Sequence, residues 1–172
     1  MDRHGTVVWL TGLSGTGKST VGARLRDLLL ERGVRPVVLD GDRIRAALPG
    51  EFGHTPPERR ALAAGYGRLA REFAEQGHTV LCSTISLFHD VHRWNRAHLP
   101  GYVEVWLRVP EAELRRRDPK GLYRRASGGL AGVGQAAEFP DAPDLVIDNS
   151  GDTTPDRAAA TVLHTLQRRK LL

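Results

Sequence analysis

The stretch 6–20, TVVWLTGLSGTGKST, constrains the fold of this chain more than any other part of its sequence. It starts with apolar residues that predict a strand, passes through a glycine-rich loop and ends on residues that favour the start of a helix. Within it, four residues fit the pattern G-x-x-x-x-G-K-[ST], namely Gly12, Gly17, Lys18 and Ser19. An ordinary Gly/Ser turn explains this context poorly, so we interpret the stretch as a phosphate-binding loop.

The spacing of this motif follows from the chemistry of a nucleoside triphosphate. Glycines let the backbone curl so that successive N–H groups point at phosphate oxygens, and the following helix adds its N-terminal N–H groups and dipole. Lys18 is expected to bridge the β and γ phosphates, and the Ser19 hydroxyl to bind Mg²⁺. The expected ATP-binding residues are Gly12, Ser14, Gly15, Thr16, Gly17, Lys18, Ser19 and Thr20.

Length and composition predict one globular domain over residues 1–172. This length is enough to bury a core without disulfides or a structural metal. No apolar run approaches the length of a membrane span, and the residues before the first strand do not resemble a signal peptide, so we expect a cytoplasmic protein with no membrane partner. Cys82, the single cysteine, lies in the apolar run TVLCS and is expected to be a core thiol.

The positive charge does not by itself indicate a nucleic-acid partner. The formal net charge is +5, but the arginines are scattered over predicted helices, without a basic run or interleaved aromatic residues. We therefore predict no binding to nucleic acid. His89, His92 and His98 lie close together without metal-ligand spacing to carboxylates or cysteine, so a solvated helix face is the favoured interpretation.

Alternating apolar segments predict an α/β fold with a parallel sheet covered on both faces. The expected strands lie at about 6–10, 34–40, 79–83, 102–109 and 144–149. The strand that ends at Asp40 is expected to be buried. The helix that ends near residue 76 is expected to bury Leu62, Leu69 and Phe73. Residues 118–142 are rich in glycine and basic residues with little periodicity, which favours a mobile lid over a phosphate site.

The segment VVLDGDRIRAAL brings two carboxylates to the end of the second predicted strand. Ligands of parallel α/β sheets gather at the carboxyl ends of the strands. Beside a phosphate loop, one acid can help to hold Mg²⁺ and the other can accept or orient the proton of an attacking hydroxyl. We assign the metal role to Asp40 and the proton role to Asp42; the alternative is that both cap the short helix. Arg45, one turn beyond Asp42, can bind an anionic acceptor.

GLSGTGKST, LDGDRIR, STIS and RDPKGLY, with their spacing, resemble the adenylylsulfate kinases over about residues 5–150. These enzymes transfer the γ-phosphate of ATP to the 3′-hydroxyl of adenosine 5′-phosphosulfate. The resemblance implies the P-loop kinase fold, ATP and Mg²⁺ as cofactors, an anionic nucleotide acceptor, a homodimer and a place in sulfate assimilation. Carried over by position, it implies catalytic Asp42 with Lys18, acceptor-binding Arg45 and Arg59, Phe52 as a stacking face, Ser86 at a position sometimes phosphorylated, and Lys120 on the lid.

The chain departs from the family pattern around the acceptor. Leu62 replaces an Asn, Leu87 replaces a Pro, and Leu130 replaces the lid Phe that completes a sandwich around the acceptor base. His89 and His92 replace some of the usual basic residues. Loss of one aromatic wall weakens base stacking by about 1–3 kcal/mol. The residues for phosphate transfer are therefore intact, whereas the acceptor site is altered.

Three hypotheses follow from these residues. The first is an ATP-dependent kinase of the adenylylsulfate type, and the second keeps the ATP chemistry with another small anionic acceptor, such as a different nucleotide or an activated metabolite. The third is a nucleotide-binding regulatory protein without turnover. Retention of Lys18, Ser19 and Asp42 argues against the third, because a protein that only binds nucleotide has no use for a base.

Overall fold

The structure is a computed structural model of the chain. It describes residues 4–48, 55–118, 121, 130–131, 134–135 and 137–172. The strands are β1 Val7–Thr11, β2 Val37–Asp40, β3 Val80–Ser83, β4 Val103–Arg108, β5 Leu130–Ala131, β6 Gly134–Gln135 and β7 Leu145–Asp148. The helices are α1 Lys18–Leu30, α2 Gly41–Ala47, α3 Pro56–Glu75, α4 His89–His98, α5 Glu111–Arg117 and α6 Pro155–Arg168.

Five strands form one parallel sheet in the order β2-β3-β1-β4-β7, and β5 and β6 form a separate pair. β1 is central, with β3 on one side and β4 on the other, and all five of its residues are buried. A strand covered on both faces needs an almost continuous apolar sequence, which VVWLT supplies. The predicted five-stranded parallel sheet is confirmed.

Helices cover both faces of this sheet. On one face, Val8 of β1 belongs to an apolar cluster with Leu25 of α1 and Leu166 of α6. On the other face, Trp9 belongs to a second cluster with Ala70 of α3 and residues of α4. The alternation of side chains along β1 therefore supplies both halves of the core.

The expectation that β2 is a buried strand is wrong in part. Val38 of β2 is 36% exposed, whereas Leu39 is buried. The cause is the strand order of the described residues, which places β2 at the edge of the sheet, paired with β3. Apolar residues on an edge strand cannot be distinguished by sequence from those of a central strand.

The predicted apolar face of α3 is also partly wrong. Leu69 is 36% exposed, and Leu62 and Phe73 are partly buried at the margin of the cluster. The buried residues of α3 are mostly small: Ala63, Tyr66, Gly67, Ala70 and Ala74. Small residues allow a helix to approach the elements beneath it closely, so shape rather than hydrophobicity selects this face.

Two glycines of α3 give opposite predictions for the same substitution. A Cβ at Gly67 would lie 2.5 Å from the Oδ1 of buried Asn95, whereas a Cβ at Gly65 would contact nothing within 4 Å. We expect Gly65→Ala to raise the free energy of unfolding by about 0.5–1 kcal/mol and Gly67→Ala to lower it by about 1–3 kcal/mol. Urea unfolding of both variants measures this, and equal effects would contradict the close packing of α3 on α4.

Cys82 is a buried core thiol, as predicted. Burial is the main cause that raises the pKa of its thiol, and the nearby Asp40 carboxylate adds to this effect. The thiol therefore stays protonated at neutral pH, which excludes it as a nucleophile. Over the described ranges, no helix combines the length and apolar character needed to span a membrane.

Candidate active site

The phosphate loop occupies residues 12–17, between β1 and α1. Gly12, Gly15 and Gly17 all have positive φ angles. A Cβ at Gly12 would lie 2.4 Å from the carbonyl oxygen of Leu107, so only glycine fits where the loop leaves the sheet. The Thr16 hydroxyl donates to the Leu13 carbonyl at 2.9 Å and closes the curve of the loop.

Lys18 lies against this loop. Its Nζ donates to the carbonyls of Gly12 at 2.9 Å and Leu13 at 2.7 Å. The ammonium is therefore held beside the backbone that is expected to bind the phosphates. Phosphate oxygens are stronger acceptors for an ammonium than neutral carbonyls, so it can turn from these carbonyls to a nucleotide.

The two expected magnesium ligands contact each other. Ser19 Oγ donates to Asp40 Oδ2 at 2.6 Å, which joins the first turn of α1 to the end of β2. A hydroxyl and a carboxylate are ligands that Mg²⁺ accepts when phosphates and water complete its coordination. Among the described residues, no group of three or more His, Cys, Asp or Glu side chains that could hold a metal occurs.

Asp40 also caps the helix that carries Asp42. Its Oδ1 accepts from the backbone N–H groups of Asp42 at 3.1 Å and Arg43 at 3.2 Å. The capping alternative is thus correct for Asp40, and its second oxygen still faces Ser19. This carboxylate orients the first turn of α2 and so determines where Asp42 lies.

Packing beneath the turn supports Asp42. The Tyr66 hydroxyl donates to the Gly41 carbonyl at 2.8 Å, and burial is the main cause that raises the pKa of Tyr66 to about 12. Gly41 packs on the loop after β3, because a Cβ there would be 3.2 Å from Thr84 Oγ1. Asp42 itself is exposed in the first turn of α2.

The predicted acceptor-binding arginines lie near each other. The pKa of Arg59 is lowered, first by its partial burial and then by the positive charge of Arg45. Like charges repel, so this pair is stabilised when an anion lies between or beside them. The structure thus brings together the cationic residues that the sequence predicts for an anionic acceptor.

Ser86 lies in the loop that joins β3 to α4. Its side chain is 6% exposed, its φ is +29° and its Oγ lies 2.8 Å from Thr84 Oγ1. His92 Nε2 lies 2.7 Å from the Ser86 carbonyl oxygen. His92 is buried, so the expected solvated histidine face is wrong at this position. Its imidazole contacts the loop that contains Ser86. Burial is the main cause that lowers the pKa of His92.

The end of the predicted lid is held to the start of α4. The carboxylate of Glu138 accepts from the backbone N–H of His89 at 2.6 Å and from Arg60 at 3.2 Å. The Glu138 N–H donates to the Leu87 carbonyl at 3.2 Å, and Arg60 also pairs with Asp90. The carboxylate of Glu138 therefore connects the lid segment to α3 and α4, and its N–H connects the segment to the loop that contains Ser86.

The Glu138 contacts predict a dependence of stability on pH. The pKa of Glu138 is held below its ordinary value of 4.5, first by the His89 N–H and also by the charge of Arg60. A depressed pKa adds stability at neutral pH that is lost as the pH falls through 4.5 towards the lowered value. We expect Glu138→Gln to lower Tm at pH 7, and its difference from wild type to shrink towards pH 3.

Thermal scans from pH 7 to pH 3 measure this effect. Glu72→Gln, on the exposed surface of α3, is the matched control and should follow the wild type throughout. A Tm difference for Glu138→Gln that stays constant over this range would contradict the charged contacts.

Three predicted site residues cannot be placed in full. Phe52 and Lys120 lie outside the described residues, as does most of the predicted lid. Leu130 is described for its backbone alone, in β5. The predicted mobility of the lid stays a prediction.

Sequence reasoning missed two polar residues near the site. One is Glu138, and the other is Asn149, whose Nδ2 donates to the Thr16 carbonyl at 2.8 Å. Asn149 follows β7 directly, so it lies at the carboxyl ends of the parallel strands, as Asp40 does. Its place after an apolar strand is the signal that could have identified it.

Comparison with known proteins agrees with this geometry. The family model described as adenylylsulphate kinase matches residues 4–148. The chain belongs to the adenylylsulfate kinase family. An adenylyl-sulfate kinase of Paraburkholderia xenovorans is 40% identical over 150 residues, which cover 84% of each chain. The APS kinase of Mycobacterium tuberculosis, solved in complex with AMPPNP and APS, has a TM-score of 0.87 at 33% identity and covers 95% of this chain and 98% of that chain.

Some relatives in this family are much longer. The bifunctional enzyme NodQ of Azospirillum brasilense is 38% identical over 95% of this chain. The chain spans between 27% and 29% of the length of three bifunctional relatives that it matches.

Two departures from the family pattern have structural consequences. Leu62 packs against the apolar cluster under α3, and Leu87, which follows Ser86 in the loop before α4, is 3% exposed. Both side chains are thus part of the packing around the site. The side chain of Leu62 has no polar atom, so it cannot form a hydrogen bond to the substrate that accepts the phosphate.

Proposed function

We propose that the chain is an ATP- and Mg²⁺-dependent adenylylsulfate kinase. The observation that carries this proposal is the hydrogen bond from Ser19 to Asp40. It joins the phosphate loop to the turn that carries Asp42, so donor-binding and acceptor-binding segments lie side by side. Membership of the family supports the same proposal, as does the charge interaction of Arg59 with Arg45, which lies on the same helix as Asp42.

In the proposed reaction, the N–H groups of residues 12–20 and the ammonium of Lys18 bind the β and γ phosphates. Asp42 accepts the proton of the 3′-hydroxyl while that oxygen bonds to the γ-phosphorus and the bond to the ADP oxygen breaks. Arg45 and Arg59 hold the anionic end of the acceptor. Mg²⁺, held by Ser19 with Asp40 nearby, would neutralise charge on the transferred group.

A second candidate keeps the same donor and takes another small anionic acceptor. Leu62, which packs against the apolar cluster, favours this second candidate, because leucine offers no hydrogen bond where the family has Asn. Adenylylsulfate is then expected to saturate the enzyme poorly. A low micromolar KM, at the tight end of the range for enzymes, would contradict this expectation.

A panel of acceptors with γ-labelled ATP tests both candidates. Adenylylsulfate, AMP, other nucleoside monophosphates and sugar phosphates are each incubated with enzyme, and products are scored for label and for the hydroxyl that carries it. Labelling at the 3′-hydroxyl of adenylylsulfate above all others supports the first candidate. Preferred labelling of another acceptor supports the second, and labelling of none supports the nucleotide-binding protein without turnover.

The homodimer and the cytoplasmic location complete the proposal. Unpaired Cys82 suits a reducing compartment, and ATP is the donor available there. The homodimer is supported by the family resemblance. Light scattering of the purified chain during size-exclusion chromatography gives its mass, and a monomer at micromolar concentration would contradict the dimer.

A further inference from the structure

Asn149 connects the last strand of the sheet to the phosphate loop. It is the first residue after β7, its side chain is 5% exposed, and its Nδ2 donates to the Thr16 carbonyl at 2.8 Å. The two residues are 133 positions apart in the chain. Such a long-range bond adds a restraint from the far end of the chain to a glycine-rich loop, whose backbone can adopt many conformations.

The direction of this bond has a consequence for the neighbouring N–H group. The Thr16 carbonyl and the Gly17 N–H belong to one planar peptide unit, which is trans. In a trans peptide, C=O and N–H point in opposite directions. Holding the carbonyl against Asn149 therefore turns the Gly17 N–H away from Asn149.

We propose that Asn149 is a positioning residue that orients the Thr16–Gly17 peptide so that the Gly17 N–H faces the nucleotide phosphates. This inference rests on the proposed use of ATP. Preorganisation matters here because a loop that is already oriented does not lose conformational freedom when phosphate binds.

Asn149 is itself held from two sides. Its N–H donates to the Arg108 carbonyl at the end of β4, at 2.8 Å. Its carbonyl accepts from Arg117 Nη2 at 2.9 Å, and Arg117 Nε donates to Glu113 at 2.8 Å. The amide thus projects from a backbone fixed by β4 and α5, which is what a positioning residue requires.

The fit between Asn149 and Gly17 is close. Gly17 has φ +90°, and a Cβ there would lie 2.7 Å from Asn149 Nδ2. The motif glycine therefore provides the space that the amide occupies. The orientation of the amide follows from its partner, because a flipped oxygen would face the Thr16 carbonyl, another acceptor.

The test compares two variants of Asn149 with a matched control. Asn149→Ala removes the donor, and Asn149→Leu removes it while keeping a side chain that branches at Cγ. Thr6→Val is the control, because Thr6 is 4% exposed and its hydroxyl donates to the Leu171 carbonyl at 2.8 Å, a bond of the same kind away from the phosphate loop. The readouts are the dissociation constants for ADP and adenylylsulfate by calorimetry, and Tm.

We expect both Asn149 variants to bind ADP about tenfold more weakly, as the loss of one well-placed hydrogen bond implies, and adenylylsulfate within twofold of wild type. Thr6→Val should lower Tm without a change in ADP binding. Asn149 variants that bind ADP within twofold of wild type, or lose both ligands equally, would overturn the positioning role. A wild-type chain that does not bind ADP would instead overturn the proposed function.

Discussion

Asp42→Ala is expected to lower kcat about 10²- to 10⁴-fold, the usual contribution of a general base. The attacking hydroxyl keeps its proton until the transition state, and no other carboxylate lies in the first turn of α2. ATP affinity should stay nearly unchanged, because Asp40, rather than Asp42, contacts Ser19 and caps the helix. Initial rates with labelled ATP and calorimetric titration of ADP separate the two effects.

The control for this variant is Asp27→Ala. Asp27 is an exposed carboxylate on α1 that pairs with Arg26, so its removal should leave kcat and ADP affinity unchanged. If Asp42→Ala turned over like wild type, the assignment of the base would be wrong. Equal losses of turnover and ADP affinity would instead mean that Asp42 supports the phosphate loop.

Lys18→Met is expected to lower kcat about 10²- to 10³-fold, the cost of removing one preorganised donor to developing charge. Lys18 Nζ lies within 2.9 Å of two loop carbonyls, so the ammonium is beside the backbone that receives the phosphates. Methionine keeps the length of the side chain and removes the charge. Stopped assays of phosphate transfer, with ATP varied at a fixed acceptor concentration, give kcat and KM.

Lys18→Arg is expected not to restore activity. A planar guanidinium is larger than the ammonium, and its charge is spread over the group rather than concentrated at one point beside the two carbonyls. Lys170→Met, beyond the end of α6, is the control for the general loss of a positive charge. Activity of Lys18→Met close to that of Lys170→Met would contradict the role of Lys18 at the phosphates.

These variants divide the proposed site into two halves. Lys18 and Asn149 concern the donor, so their effects should appear in ADP affinity or in ATP kinetics. Asp42 concerns transfer to the acceptor and should affect turnover alone. Arg45 and Arg59 concern acceptor binding, so a variant of either should raise the KM for the acceptor.

The sequence by itself determined the family, the fold class and the location of the phosphate loop. The motif from Gly12 to Ser19 has one structural context, strand then loop then helix, because its spacing serves the geometry of phosphate binding. The location of Asp40 and Asp42 was predictable for a related reason, since ligands of a parallel α/β sheet bind at the carboxyl ends of its strands. Local patterns of this kind need no knowledge of distant contacts.

Only the tertiary structure decided which residues are neighbours across the chain. The edge position of β2 explains why Val38 is exposed, and strand order is not encoded in periodicity. His92 is buried and contacts the Ser86 carbonyl, which a helical pattern cannot reveal.

The contacts of Glu138 and Asn149 show most clearly that the sequence alone does not predict contacts between distant segments. Each joins segments separated by 49 or 133 positions. Such bonds depend on how helices and strands pack, and packing is set by the shapes of all the side chains together rather than by any one segment. The chemistry of the proposed site could therefore be predicted from short motifs, whereas the residues that hold the site in position could be found only from the fold.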